Sequence, residues 1–111
     1  MLRASSKTID VEVDAASAVQ GEAAGIPHGP LLARFVEAVT GGDADAGTSA
    51  RDALQVAAGP DAVGEAAAVL ANFEMMTRIA DSTGAVLSPK WMESSTADRA
   101  TLGADRFESA R

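Results

Sequence analysis

The stretch Pro60–Gly84, PDAVGEAAAVLANFEMMTRIADSTG, carries the signals of one long helix. Pro60 suits the first helical turn, where its missing N–H costs nothing, and Asp61 complements the positive N-terminal end of the helix. Gly84 suits the left-handed conformation that commonly ends a helix. Apolar residues recur on one face at helical spacing, namely Val69, Phe73, Met76 and Ala80. We therefore expect a helix over Pro60–Thr83, with much of its surface buried.

The remaining sequence predicts shorter helices around this long one. Alanine is abundant, aromatic residues make up 4% of the chain and tyrosine does not occur, a composition that favours closely packed helices over sheets. We expect helices over residues 14–24, from Pro30 to Gly41, from Thr48 or Ser49 to Gly59, and from Ser95 or Thr96 to Gly103. Residues 41–49, GGDADAGTS, are expected to form a surface loop. The predicted fold is all-α, a small bundle of about four to five helices.

Both ends of the chain are expected to differ from the helical core. The prediction is a single domain over residues 1–111, with an N-terminal arm (1–13), a helical core (14–84) and a C-terminal tail (85–111). Within the arm, TIDVEVD alternates apolar and acidic residues, as a half-buried strand does. It is interpreted as an extended arm, with an edge pairing across a dimer or a lead-in to the first helix as alternatives. In the tail, Trp91, Leu102 and Phe107 are spaced anchors for docking on the body or on a partner.

Composition and charge exclude several classes of function. The net charge is −7 and the nine basic residues are scattered, which argues against a nucleic-acid-binding surface. The absence of cysteine excludes disulfides, thiol redox chemistry and thiolate metal sites. No apolar run is long enough for a membrane span or a signal peptide. We expect a cytoplasmic protein without membrane or nucleic-acid partners, for which oligomerisation would add stability to a short chain.

Polar and sulfur-containing side chains in the long helix are candidates for a binding site. Met75 and Met76 are interpreted as core residues, with soft-metal or cofactor binding as the alternative. Arg78 follows Glu74 by four residues, an arrangement typical of solvated surface pairs, although Arg78 could instead hold an interface or a pocket wall. Asn72 is interpreted as a structural bridge to a neighbouring backbone rather than as a ligand contact.

The only histidine and the acidic loop offer little further chemistry. His28, in the turn GIPHGP, is interpreted as an inert surface residue, and Glu37 is the nearest acid that could support it as a general base. The acidic run GDADAG has no calcium-loop spacing, because the twelfth position from Asp43 is Leu54 instead of a glutamate. We predict no metal and no cofactor. Low-ranking candidates for ligand binding are His28, Glu37, Asn72 and Arg78, and candidates for core or interface are Phe35, Phe73, Met76, Trp91 and Phe107.

Two segments carry a family resemblance. In GPDAVGEAAAVLANFEMMTRIADSTGAVL an alanine-rich run leads through Asn-Phe to Arg-x-Ala-Asp-x-x-Gly, and the chain closes on LGADRFESAR. With these segments, Leu31–Gly84 resembles the later helical half of alkylhydroperoxidase-D-like proteins, the carboxymuconolactone decarboxylase superfamily. The matching positions are Asn72, Phe73, Arg78, Ala80, Asp81 and Gly84. The resemblance implies an all-helical domain that associates through its helices.

The chain departs from that family at the residues that carry its chemistry. The family's peroxidase motif is Glu-x-x-Cys-x-x-Cys-x-x-x-His, in which one thiolate attacks peroxide and the second cysteine resolves the sulfenic acid. This chain has no cysteine, so thiol peroxidase activity is excluded. No catalytic residue is carried over from the resemblance.

Three functions remain as hypotheses. The favoured one is a non-catalytic helical protein that forms a homodimer or higher homo-oligomer. The first alternative is a small-molecule binder, or a cysteine-independent enzyme, with a closed pocket lined by Phe35, Phe73 and Met76. The second alternative is a subunit that completes a cysteine-containing family member in a hetero-complex.

Overall fold

The computed structural model describes residues 15–23 and 25–106. Its helices are α1 (Ala15–Val19), α2 (Gly29–Thr40), α3 (Ala44–Ala58), α4 (Pro60–Thr83), α5 (Pro89–Ser94) and α6 (Thr96–Leu102), followed by a 3-10 turn (Ala104–Arg106). No strand occurs within the described ranges. The all-α prediction is therefore confirmed. The predicted arm (1–13) and the anchor Phe107 lie outside the described residues.

The described chain forms two compact units whose boundary falls between Leu70 and Ala71, within α4. The first unit contains α1, α2, α3 and the first half of α4. The second unit contains the rest of α4, α5, α6 and the 3-10 turn. The single domain over residues 1–111 stays a prediction.

The core of the first unit is small and is made mainly by α2 and α3. Phe35 of α2 and Ala50 and Leu54 of α3 are its buried residues, and Leu54 is fully buried. Ala50 and Leu54 are four residues apart, so they share one face of α3, and the small Ala50 leaves room for Phe35. Partly buried apolar side chains pack around them, namely Leu31, Leu32, Ala38, Ala58, Val63, Ala66 and Leu70.

The N-cap of helix α3 lies five residues before Thr48 and six before Ser49, the two predicted caps. Asp43 is its N-cap, because Oδ1 of Asp43 accepts hydrogen bonds from the backbone N–H groups of Asp45 and Ala46, both at 3.0 Å. The prediction of a loop over residues 41–49 with a cap at Thr48 or Ser49 is wrong. An aspartate that satisfies two free N–H groups at a helix start outweighs the weak helix propensity of Gly47. Ser49 lies inside α3 instead, where its Oγ accepts a 3.1 Å hydrogen bond from Nη2 of Arg34 on α2.

Helix α1 is shorter than the predicted helix over residues 14–24. It ends at Val19, and Gly21 then adopts a left-handed conformation with φ of 79°. The N–H of Glu22 donates a 2.9 Å hydrogen bond to the carbonyl of Ser17, which is the pattern of a Schellman cap. Gly21 is therefore the residue that ends this helix.

Helix α4 has the bounds that the sequence predicts. It begins at Pro60 and ends at Thr83. Gly84 has a φ of 66° and is the left-handed residue of a Schellman cap. In that cap the N–H of Ala85 donates to the carbonyl of Ala80 at 3.0 Å, and the N–H of Gly84 donates to that of Asp81 at 3.4 Å.

The second unit contains a helix that the sequence analysis did not predict. α5 starts at Pro89 after Ser88, with the N–H of Met92 bonded to the carbonyl of Ser88 at 2.9 Å. A proline at the first helical position starts a helix without losing a hydrogen bond. The predicted end of α6 near Gly103 is confirmed, since Gly103 has a φ of 63° just after Leu102.

Candidate functional site

The most prominent surface feature is a group of exposed apolar side chains on α4. Val69 and Phe73 are each 58% exposed, and no residue of α4 is buried in the chain. We call Val69, Phe73, Met75, Met76 and Ile79 the α4 apolar surface; Met75, Met76 and Ile79 are 53%, 48% and 54% exposed. The expectation that much of this helix is buried is not met within a single chain. Interface contact for Phe73 and Met76 stays a prediction.

These side chains lie on a different arc of α4 from the one that faces the core. At 3.6 residues per turn, Val69, Phe73, Met76 and Ala80 fall within an arc of about 60°, whereas Ile79 and Met75 lie about 90° and about 130° from its centre. Val63, Ala66 and Leu70, which pack on the core, are centred about 80° away on the same helix. Beyond Leu70 the core-facing arc carries polar residues instead, namely Glu74, Thr77 and Asp81. The exposed apolar stripe is therefore separate from the face that stabilises the core.

Arg78 lies on the side of α4 opposite that stripe. Its Nη2 is 3.6 Å from Oε2 of Glu74, and the Arg78 side chain is 81% exposed. Asp81, the other predicted partner, makes no ion pair with it among the described residues. Exposed pairs of this spacing stabilise a helix by about 0.3–0.5 kcal/mol. Arg78 thus makes an ordinary solvated pair within its own helix.

Asn72 lies at the edge of the apolar stripe. Its Nδ2 contacts Sδ of Met76 at 3.7 Å, a weak hydrogen bond along the helix. The expected bridge from Asn72 to a neighbouring backbone is not present in the described structure. An exposed amide of this kind needs no protein partner, because water satisfies it.

His28 and Glu37 belong to the first unit, whereas Asn72 and Arg78 belong to the second. His28 precedes α2 in a left-handed conformation with φ of 57°, and its imidazole makes no capping hydrogen bond. Both His28 and Glu37 are exposed, and no hydrogen bond or ion pair joins them in the described part of the chain. The geometry therefore supplies no paired acid and base at these two positions.

The exposed apolar side chains continue into the segment after α4. Val86, Leu87 and Trp91 are 74%, 54% and 56% exposed. Trp91 lies on α5, where its backbone carbonyl accepts a 2.6 Å hydrogen bond from Oγ of Ser95. Docking of this tail stays a prediction.

A shallow depression on α4 is lined by Met75, Arg78, Ile79, Asp81 and Ser82. A single helix forms it and it is open to solvent, so it lacks the enclosing walls of a small-molecule site. Across residues 15–23 and 25–106, no three side chains of the metal-binding types lie together.

Arg99 is a polar side chain of the second unit with several hydrogen bonds, and it was not among the predicted site residues. Its side chain is 17% exposed and bonds to three groups. Nε donates to Oδ1 of Asp105 at 2.8 Å, and Nη1 donates to the carbonyl of Met92 and to Oγ of Ser95, both at 2.6 Å. The sequence signal for it was a basic residue in the last turn of the helix that precedes Gly103, together with an aspartate two residues after that glycine.

No protein-family model, curated protein or solved structure matches this chain. The resemblance to alkylhydroperoxidase-D-like proteins accordingly stays a prediction. None of the helices in the described ranges combines the length and the apolar composition that a membrane span requires.

Proposed function

We propose that this chain is a small, non-catalytic helical protein whose role is to self-associate through the α4 apolar surface. The observation that carries the proposal is that Val69, Phe73 and Met76, three large apolar side chains on one arc of α4, remain about half exposed. Isolated exposed apolar residues are normal on protein surfaces, but a contiguous group of them marks an interaction site.

The size of this surface indicates a modest interface. Phe73 offers roughly 100 Å² to a partner, about half of what an aromatic side chain buries when fully covered, and the aliphatic Val69 and Met76 offer less. Two copies that meet through this arc would then bury on the order of 500 Å², below the size of stable specific complexes. We expect a weak, reversible homodimer, to which Val86, Leu87 and Trp91 add area where they reach the partner.

The proposal includes the family relationship that the sequence suggests. Its support is the Asn72–Phe73 and Arg78-to-Gly84 pattern on a helix with the predicted bounds. A relative without the two motif cysteines would keep a helical, self-associating scaffold and lose the thiol chemistry. The extended arm (1–13), the docking tail (85–111) and a cytoplasmic location belong to the same proposal.

Light scattering and sedimentation velocity across the micromolar range test self-association. We expect the weight-average mass to rise from monomer to dimer with concentration. Phe73→Glu places a charge in the α4 apolar surface and should keep the chain monomeric, whereas Val56→Glu, at an 89% exposed apolar position on α3, should leave the mass curve unchanged. A wild-type chain that stays monomeric throughout would rule the proposal out.

A further inference from the structure

The connection between α4 and α5, residues 84–88, exposes both its side chains and its backbone. Val86 is 74% exposed and Leu87 is 54% exposed, and every residue from 84 to 88 is exposed. Among the described residues, no hydrogen bond involves the backbone of Val86 or Leu87. From these observations we propose that this connection is a cleavage site for an endopeptidase that recognises large aliphatic side chains.

Such an enzyme recognises the backbone of its substrate as well as a side chain. Endopeptidases bind the substrate as an added strand, through hydrogen bonds to its backbone and a pocket for a side chain. A helical segment must unwind before it can bind in this way, whereas a segment with free backbone groups need not. Ser88, at the end of the connection, already has extended dihedral angles, with φ of −63° and ψ of 154°. Residues 84–88 therefore offer both features that the enzyme recognises.

The other connections that the structure describes lack one of these features. The short ones contain only glycine, aspartate and serine, at residues 41–43, 59, 95 and 103. The longer one before α2 is held by backbone hydrogen bonds. The N–H of Ile26 donates to the carbonyl of Ala23 at 3.2 Å, and the N–H of Gly29 donates to that of Ile26 at 2.9 Å. Exposed aliphatic side chains on an unbonded backbone therefore coincide at Val86 and Leu87.

An enzyme that cuts before a large aliphatic residue can hydrolyse the bond from Ala85 to Val86 or the bond from Val86 to Leu87. Water adds to the carbonyl carbon, the C–N bond breaks, and the products are a new carboxylate and a new amino terminus. Cleavage before Val86 preserves the cap of α4, because Ala85, whose N–H donates to the carbonyl of Ala80, stays in the first fragment. The core formed by α2 and α3 stays in that fragment too. Cleavage therefore removes α5 and α6 and leaves the first unit complete.

Limited proteolysis with thermolysin, which cuts before large aliphatic residues, tests this site. The chain is digested under native conditions, at a dilution at which it sediments as a monomer, and the products are identified by intact-mass spectrometry. We expect the first cut within residues 15–106 to fall before Val86 or Leu87. Val56 is the internal control, because it is 89% exposed but lies inside α3. The bond before Val56 should be cut roughly 100-fold more slowly, since the helix must open first.

A double variant, Val86→Asp/Leu87→Asp, separates the contribution of the side chains from that of the backbone. It should lose this cut and keep its helices by circular dichroism, whereas Val56→Asp should be cut between α4 and α5 as the natural chain is. A first cut at another bond within residues 15–106, or equal rates before Val56 and Val86, overturns the proposal. So does a double variant that is cut there as fast as the natural chain. The result is independent of self-association, because the digestion is carried out on the monomer.

Discussion

Arg99 and Asp105 are joined by a 2.8 Å hydrogen bond from Nε to Oδ1, and Asp105 lies two residues after Gly103, the C-cap of α6. The same guanidinium donates hydrogen bonds to the carbonyl of Met92 on α5 and to the hydroxyl oxygen of Ser95, which lies between α5 and α6. One side chain therefore connects α5, the junction between α5 and α6, and the 3-10 turn. Short helices such as α5 and α6 are unstable alone, so this connection matters for the second unit.

Arg99→Ala is expected to destabilise the second unit by about 1–3 kcal/mol, because it removes the hydrogen bonds of a largely buried guanidinium to Asp105, Met92 and Ser95. Hydrogen exchange measured by mass spectrometry should show lost protection over residues 89–106 and little change over α2 and α3. Arg51→Ala is the matched control, since among the described residues the Arg51 side chain pairs only with the adjacent Asp52 and is 49% exposed. Equal effects of the two substitutions would contradict the assigned role of Arg99.

The first unit depends on Leu54, which has no solvent exposure. Leu54→Ala should lower the free energy of unfolding by about 2–5 kcal/mol, because it opens a cavity against Phe35 and Ala50. Val56→Ala, two residues along the same helix and 89% exposed, should change it by less than about 0.5 kcal/mol. Urea denaturation followed by circular dichroism measures both values. A small effect at Leu54 would mean that the core collapses around the truncated side chain.

The cap of α3 depends on Asp43. Asp43→Ala should cost about 1 kcal/mol, because the N–H groups of Asp45 and Ala46 lose their acceptor. Asp43→Asn keeps an oxygen in the same place and should retain most of the stability. Denaturation of the three proteins side by side tests this. If Asn and Ala are equally destabilising, the negative charge rather than the hydrogen bonds is what stabilises α3.

The two ends of α4 show what the sequence predicts well. Pro60 and Gly84 act through the local chain, because one has a fixed φ and the other tolerates a left-handed conformation. Their effect does not depend on the rest of the fold, and the predicted bounds of α4 are confirmed. The start of α3 was misplaced because Asp43 and Ser49 are both good caps. In the folded chain Ser49 instead accepts a hydrogen bond from Arg34 of the neighbouring helix. The local sequence does not reveal this contact between helices.

Burial was harder to predict than helix bounds. The apolar spacing of Val69, Phe73 and Met76 is the same whether a helix faces its own core or a second chain. The sequence therefore identified an apolar face without identifying what covers it, and the interpretation of Met75 and Met76 as core residues followed. The role of Arg99 was not predicted from the sequence for a related reason. Two of its hydrogen bonds join residues six and seven positions apart, beyond the spacings that a helix brings together.

Substitution by alanine is expected to have opposite effects on stability at Gly64, inside α4, and at Gly84, just after it. Gly84→Ala should destabilise the chain by about 1 kcal/mol, since an alanine is strained at a φ of 66°. Gly64 lies inside the helix with no atom near the place of an added Cβ, so Gly64→Ala should stabilise it by about 0.5–1 kcal/mol. Thermal denaturation of both variants shows whether each substitution raises or lowers the stability of the chain. Stabilisation by Gly84→Ala would show that the Schellman cap is dispensable.

Oxidation provides a last prediction on the proposed interface. The chain has no cysteine, so exposed methionine is its most readily oxidised side chain, and Met75 and Met76 are about half exposed on α4. Conversion to the sulfoxide makes an apolar side chain polar. Mild hydrogen peroxide should therefore shift the sedimentation profile toward monomer, because it makes Met76 polar within the α4 apolar surface. A Met75→Leu/Met76→Leu double variant keeps the apolar character and should resist the shift, whereas Met92→Leu should respond as the natural chain does. If the double variant dissociates to the same extent, the oxidised site that controls association lies elsewhere in the chain.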